Sequence, residues 1–116
     1  VRTAHKYHAR AETVDNLHFA SQKEARRYGE LKLLQQVHAI SDLECQPEFP
    51  LSVVKIFRNG WPIELATVGK YIADFQYTDL RTGEIVVEDV KGVRTPVYQL
   101  KKKLVAAIHG ITVREV

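Results

Sequence analysis

Hydrophobic positions recur at two different spacings along this chain, and the changes of spacing divide it into elements. From Gln22 to Ala39 the stripe Tyr28, Leu31, Leu33, Leu34 and Val37 repeats every three to four residues, which predicts a helix. Ser21 is placed to cap it, with Glu24 three residues on as the partner of a capping box. Gly29 inside the stripe costs the helix about 1 kcal/mol relative to alanine. β-type patterning follows. A strand is expected near Leu43–Phe49, confined to an edge or broken by Pro47 and Pro50. Next come Leu51–Phe57, a turn at Arg58-Asn59-Gly60, and a short strand at Ile63–Val68. Tyr71–Thr78 and Ile85–Val90 read as two further strands joined by a turn at Asp79–Glu84, with Gly92 ending the second. Pro96 suits the first turn of a second helix, which runs to His109 with Val97, Leu100, Leu104 and Ala107 or Ile108 inward, and Gly110 stops it. Ile111–Val116 is a last short strand, and residues 1–16 form a polar, basic arm without periodicity. This order predicts an α/β fold, a small mixed β-sheet flanked by helices, in one domain over residues 1–116.

Composition agrees with that size. A chain of 116 residues can build one core, and 45% hydrophobic and 27% charged residues are ordinary values for a globular domain. No apolar run approaches the ~20 residues needed to cross a bilayer, and the first residues show no signal-peptide pattern. No membrane association and a cytoplasmic location are therefore expected. The single cysteine, Cys45, fits a reducing compartment. One cysteine and five scattered histidines do not make a zinc site, and the close pair His5 and His8 lacks a second pair of ligands.

The net charge of +3 matters less than where it lies. Arg2, Lys6 and Arg10 cluster in the arm, and Lys91 to Arg114 contains no acid while Lys91, Arg94, Lys101, Lys102, Lys103 and Arg114 are basic. That segregation fits a polyanion such as nucleic acid, and equally a solvated helix face.

The chemistry-bearing stretch is Val86-Val87-Glu88-Asp89-Val90-Lys91. Residues two apart on a strand share a face, so Asp89 and Lys91 end a face begun by Ile85 and Val87, while Glu88 points the other way. Charges at the end of an apolar face call for a partner or a metal. If Asp79 pairs with Glu84, the same register sets Asp74 opposite Asp89, with Cβ atoms roughly 5 Å apart. Two carboxylates at that separation repel unless a cation lies between them, and a divalent ion with oxygen ligands, typically magnesium, is the usual one. Glu24, at the inward edge of the first helix, is either a capping residue alone or also reaches this pair.

These residues carry a resemblance. Asp74 followed by Asp89-Val90-Lys91 on adjacent strands, after a helix containing Glu24, resembles the PD-(D/E)XK nuclease superfamily. More closely, the chain is similar to small phage and prophage proteins assigned to it. The shared motifs are Phe19-x-Ser21-x-Lys23-Glu24-Ala25-Arg26-Arg27-Tyr28, Ile40-Ser41-Asp42-Leu43-Glu44-x-Gln46-Pro47, Tyr71-Ile72-Ala73-Asp74-Phe75, Glu88-Asp89-Val90-Lys91-Gly92 and Tyr98-x-Leu100-Lys101-x-Lys103-Leu104. Ala73 stands where the superfamily name has proline. The resemblance spans residues 17–116, extends to Holliday-junction resolvases, and implies a restriction-endonuclease-like core. It implies a metal-dependent DNA endonuclease (a phosphodiester hydrolase) that acts on branched or other recombination intermediates in a bacterial host cell. Asp74, Asp89 and the carbonyl of Val90 would hold Mg²⁺ or Mn²⁺, and Glu24 would ligate a second ion or act through water. Lys91 would orient or deprotonate the attacking water or stabilise developing charge. Arg94, Lys101 and Lys103 would hold the DNA backbone, with Gln46 at the rim.

Other readings compete at each point. Asp74 and Lys91 could form a structural salt bridge, and Lys101–Lys103 a plain solvated face. Tyr28 and Tyr98 suit core or rim packing better than base stacking, and Trp61 is undecided between cap and contact. The alternative function is a non-catalytic DNA-binding or interaction subunit of a phage recombination or packaging machine. Cutting both strands of a duplex, or a symmetric junction, would call for a homodimer, which the sequence does not show.

Overall fold

A computed structural model of the protein describes residues 11–57, 59–60, 63–91 and 93–116. The basic residues Arg2, Lys6 and Arg10, the pair His5 and His8, Arg58 of the expected turn, Trp61 and Gly92 lie outside the described residues.

The lead-in is not wholly an arm. Asp15 and Asn16 both adopt positive φ, 52° and 63°, the signature of a two-residue primed turn. It joins β1 (Glu12–Val14) to β2 (Leu17–Phe19), and Asp15 Oδ2 then accepts the Tyr28 hydroxyl at 2.9 Å. Helix α1 (Gln22–Gln36) starts where Ser21 caps it, Ser21 Oγ accepting the Glu24 amide at 3.1 Å. It ends three residues before Ala39, because His38 turns to φ 61° and Ala39 N–H closes back on Leu34 O. Its buried residues are Ala25, Tyr28 and Leu31, whereas Leu33 and Val37 of the expected stripe are exposed.

The main sheet holds β3 (Ile40–Cys45), β6 (Phe75–Asp79), β7 (Ile85–Asp89) and β8 (Val113–Glu115) in the order β3-β6-β7-β8. The β6–β7 hairpin has the expected register: Phe75 faces Glu88, Thr78 faces Ile85, and Asp79 N–H donates to Glu84 O at 2.8 Å. Gly83, at φ 77°, supplies the left-handed position that the tight loop needs. β8 lies parallel to β7 and is reached through α2 (Pro96–His109), so the sheet is mixed.

The long apolar run at Tyr71–Thr78 is two strands rather than one. β5 (Ile63–Ile72) belongs with β4 (Glu48–Ile56) to a separate two-stranded ribbon. Chain passes between ribbon and sheet at Cys45–Glu48 and again at Ile72–Phe75, and two bonds hold the crossings together: Gln46 N–H to Asp74 O at 2.9 Å and Ala73 N–H to Pro47 O at 3.1 Å. Asp74 therefore sits in an elbow.

Two apolar clusters build the core. One, under α1, contains Phe19, Tyr28, Leu31, Ile40, Phe75 and Tyr77. The other, under α2, contains Phe49, Leu51, Tyr71, Val87, Tyr98 and Val105. The fold is thus a small α/β arrangement with two helices, as expected. Helix α2 is rotated from its expected setting. Tyr98 and Val105 are buried, while Val97 and Leu100 are exposed. The polar handle of Tyr98 explains this, since its hydroxyl donates to Glu115 Oε2 at 2.7 Å and draws that side of the helix inward. Among the described residues no helix is long and apolar enough to cross a membrane.

Candidate functional site

The elbow and the end of β7 bring Asp74 and Asp89 together by an exchange of backbone bonds. Asp74 N–H donates to Asp89 Oδ1 at 3.1 Å, and Val90 N–H donates to Asp74 Oδ2 at 2.7 Å. Each carboxylate is oriented by an amide of the other's strand. Such bonds fix the direction of each carboxylate. Gln46 supports the elbow through its amide bond to Asp74 O and adopts φ 54°, a conformation that a non-glycine residue enters at a cost. Its side chain is exposed at the edge of the site.

Asp89 is 1% exposed, and its Oδ2 is buried without a hydrogen-bond partner. Lys91 Nζ lies 3.7 Å from that oxygen, an ion-pair distance beyond hydrogen-bonding range. Burial pushes the Asp89 carboxyl up to about 6, against the pull of Lys91 and the Asp74 amide. Lys91 therefore pairs with Asp89 and not with Asp74. Its ammonium also lies 4.1 Å from the centre of the Tyr98 ring, so the ring face and the carboxylate hold it between them. Lys23 Nζ donates to Lys91 O at 3.1 Å and ties the first turn of α1 to the same strand end.

Glu24 does both things the sequence allows. Its Oε2 accepts the Ala20 amide at 3.0 Å, closing the helix start, and its carboxyl lies near that of Asp74. Burial, then the Asp74 carboxyl, pushes Glu24 up to about 8. Asp74 thus meets Asp89 directly and acts on the Glu24 carboxyl through its charge. Among the described residues no three His, Cys, Asp or Glu side chains are grouped to hold one metal ion. What fits a hard divalent cation is the donor chemistry, namely carboxylate oxygens fixed by amides, with the buried Asp89 Oδ2 still lacking a hydrogen bond.

Glu88 lies on the opposite face, as its position on the strand requires. It is 0% exposed and accepts Arg27 Nε at 2.9 Å and Arg27 Nη2 at 2.7 Å, with the Tyr77 hydroxyl as a further donor. Its bonds run to α1 and to its own sheet, away from Lys91.

The basic segment is less free than its composition suggests. Glu115, one residue beyond it, accepts Arg94 Nε at 2.7 Å, lies 3.4 Å from Lys102 Nζ and takes the Tyr98 hydroxyl. The bonds from Tyr98 and Arg94 hold the Glu115 carboxyl down to about 2. Arg94 is therefore committed to an ion pair, and Lys101 is half-buried, whereas Lys103 is exposed. A cleft of about 410 Å³ between α2 and β8 is lined by Arg94, Lys102, Lys103 and Glu115 over an apolar floor of Ala106 and Val113. Reasoning from sequence missed Tyr98 and Glu115 as site residues. Glu115 carried a signal, as the one acid directly after an acid-free basic run.

No curated protein and no solved structure matches the chain. The model of a family described as a protein of unknown function (DUF1064) matches residues 4–112, nearly the whole chain, and the protein belongs to that family.

Proposed function

We propose that this protein is a metal-dependent endodeoxyribonuclease of phage type that hydrolyses phosphodiester bonds in branched or junction DNA during recombination in a bacterial cytoplasm. The observation that carries the reading is the exchange of amide bonds between Asp74 and Asp89 beside Lys91. Structural acids of a small sheet have no need to meet at a strand end with a buried oxygen left without a hydrogen bond. Asp74, Asp89 and the Val90 carbonyl would hold Mg²⁺ or Mn²⁺, with Glu24 completing the shell through water or beside a second ion. When bound, the ion would supply neutralisation of phosphate charge and a lowered pKa for attacking water.

The protein groups have separate parts. The two aspartates would hold the ion. Lys91, held on the Tyr98 ring, orients the attacking water or stabilises charge on the phosphate. The Glu24 carboxyl, pushed up to about 8 by burial and the Asp74 carboxyl, would be favoured in its charged form beside a cation. Lys103 would contact the DNA backbone, Lys101 would add its charge from a half-buried position, and Gln46 lies at the rim.

The alternative is a non-catalytic DNA-binding or interaction subunit. It is favoured by one observation, the lack of a three-ligand group among the described residues. Incubating the protein with labelled junction, flap, duplex and single-stranded DNA separates the two. Cleavage with Mg²⁺ or Mn²⁺ that stops in EDTA supports the enzyme; binding with no cleavage in either metal supports the module.

A further inference from the structure

Three cations crowd the start of α1. Arg26 and Arg27 follow Lys23 by three and four residues, the spacings at which side chains share a helix face. Like charges so placed repel, and the first turns of a helix favour anions over cations. Arg27 has a reason within the fold, its two bonds to the buried Glu88. Lys23 and Arg26 meet no acid. Both acids of α1 are used elsewhere: Glu24 turns back to the Ala20 amide, and Glu30, four residues after Arg26, pairs instead with Arg27 at 3.0 Å. All 14 acidic side chains of the chain lie among the described residues, and none forms an ion pair with Lys23 or Arg26. The cleft beside α2 differs, since there Glu115 answers both Arg94 and Lys102.

The three cations line a cavity of about 190 Å³ with Glu30, Val90 and Val116. It backs directly onto the acid cluster. The Val90 amide donates to Asp74 Oδ2, and Lys23 Nζ reaches the Lys91 carbonyl at 3.1 Å. That carbonyl satisfies one of the three donors of the ammonium and leaves its charge unanswered. We infer that the cavity is a second anion site, which takes the backbone phosphate next to the one at Asp74 and Asp89 on the same DNA strand. Charge and place argue for that occupant. A nucleic-acid strand is a row of phosphates, so a strand that presents one to the aspartates presents the next a nucleotide away. The α1 cavity adjoins the aspartates through Val90 and Lys91, and two of its cations are free to meet a phosphate. A bound phosphate would relieve both the mutual repulsion of Lys23 and Arg26 and their conflict with the helix start. Lys23 and Arg26 thereby become DNA contacts, and the strand would cross the end of β7 between α1 and Lys103 of α2. The identity of this phosphate rests on the nuclease reading, whereas its test measures binding.

Fluorescence anisotropy of labelled junction DNA in EDTA, repeated over a range of salt concentration, reads the contact without cleavage. Lys23→Gln and Arg26→Gln should each lower the slope of log Kd against log salt by about 1, the loss of one phosphate contact. Arg81→Gln removes the same charge from the exposed loop at the far end of the β6–β7 hairpin, and should leave the slope unchanged. Glu30→Gln should tighten binding. Arg26 forms no hydrogen bond or ion pair among the described residues, so its variant decides the matter even if Lys23→Gln shifts the strand end. DNA binding with an unchanged slope in Arg26→Gln overturns this inference and leaves the nuclease reading standing. If millimolar inorganic phosphate then stabilises the wild type and not Arg26→Gln, the cavity belongs to a free phosphate instead. A lowered slope with no cleavage in Mg²⁺ or Mn²⁺ supports the phosphate contact and removes the nuclease reading. A wild type that binds no DNA in EDTA yet cleaves it in Mg²⁺ overturns this inference alone.

Discussion

Replacing Arg27 with methionine should be among the most damaging single changes in this protein, and repairable. Arg27 gives two short bonds to Glu88, a carboxylate with no exposure to water. Removing the cation leaves that charge buried with the Tyr77 hydroxyl as its remaining side-chain donor. Breaking such a pair from one side costs about 3–5 kcal/mol, while replacing both partners with apolar groups of similar volume is close to neutral. A chain of 116 residues has a stability of roughly 6–17 kcal/mol, so the single variant should still fold. With a urea dependence of about 2 kcal/mol per molar, its midpoint should fall by about 2 M. Arg27→Met with Glu88→Leu should recover most of the loss, and urea unfolding followed by far-ultraviolet circular dichroism would give all four corners of the cycle. Metal-dependent cleavage by the double variant should persist, because Glu88 faces away from Lys91. Equal losses in the single and double variants would refute the buried-pair reasoning. Loss of cleavage in a folded double variant would refute the assignment of Asp89 over Glu88.

In EDTA, stability should fall as pH rises from 5 to 8. The Glu24 carboxyl lies at about 8 in the fold against 4.5 ordinarily, so its stabilising protonated form is complete below 4.5 and lost through 8. The full shift caps this loss at about 5 kcal/mol, and partial exposure reduces it to about 2 kcal/mol. Glu24→Gln should flatten the slope, and an unchanged slope in urea titrations would count against the Glu24–Asp74 interaction. Tyr98→Phe keeps the ring under Lys91 and should cleave as wild type, whereas Tyr98→Leu should lose about tenfold with a shifted pH–rate profile. Equal rates for the two variants would remove the positioning role. Asn16→Gly, at φ 63°, should raise stability by about 0.5–1 kcal/mol in thermal unfolding, and a loss would contradict the primed turn.

Much of the site was legible because a hairpin register is set locally. Once Asp79 closes on Glu84, Asp74 must meet Asp89, and nothing distant intervenes. The same strand alternation separated Glu88 from Asp89. Helix faces were less legible. Aliphatic spacing put Val97 and Leu100 inward on α2, but one aromatic with a polar tip, Tyr98, bound Glu115 and turned the helix. On α1, Arg27 took an inward position because Glu88 awaited it across the core. The break at Ala73–Asp74 left no mark in the apolar run, since both sides of the elbow are β-branched or aromatic and its bonds come from Gln46 and Pro47 far along the chain. Asp15-Asn16 is the missed local signal, a turn pair between Val14 and Leu17 that was absorbed into a basic arm.

The most direct test is cleavage of labelled junction DNA by wild type, Asp74→Ala, Asp89→Ala and Glu88→Gln in Mg²⁺, Mn²⁺ and EDTA. Cleavage should require metal, vanish in both aspartate variants and survive in Glu88→Gln. Cleavage that persists in folded Asp89→Ala, or that proceeds equally in EDTA, would contradict the account.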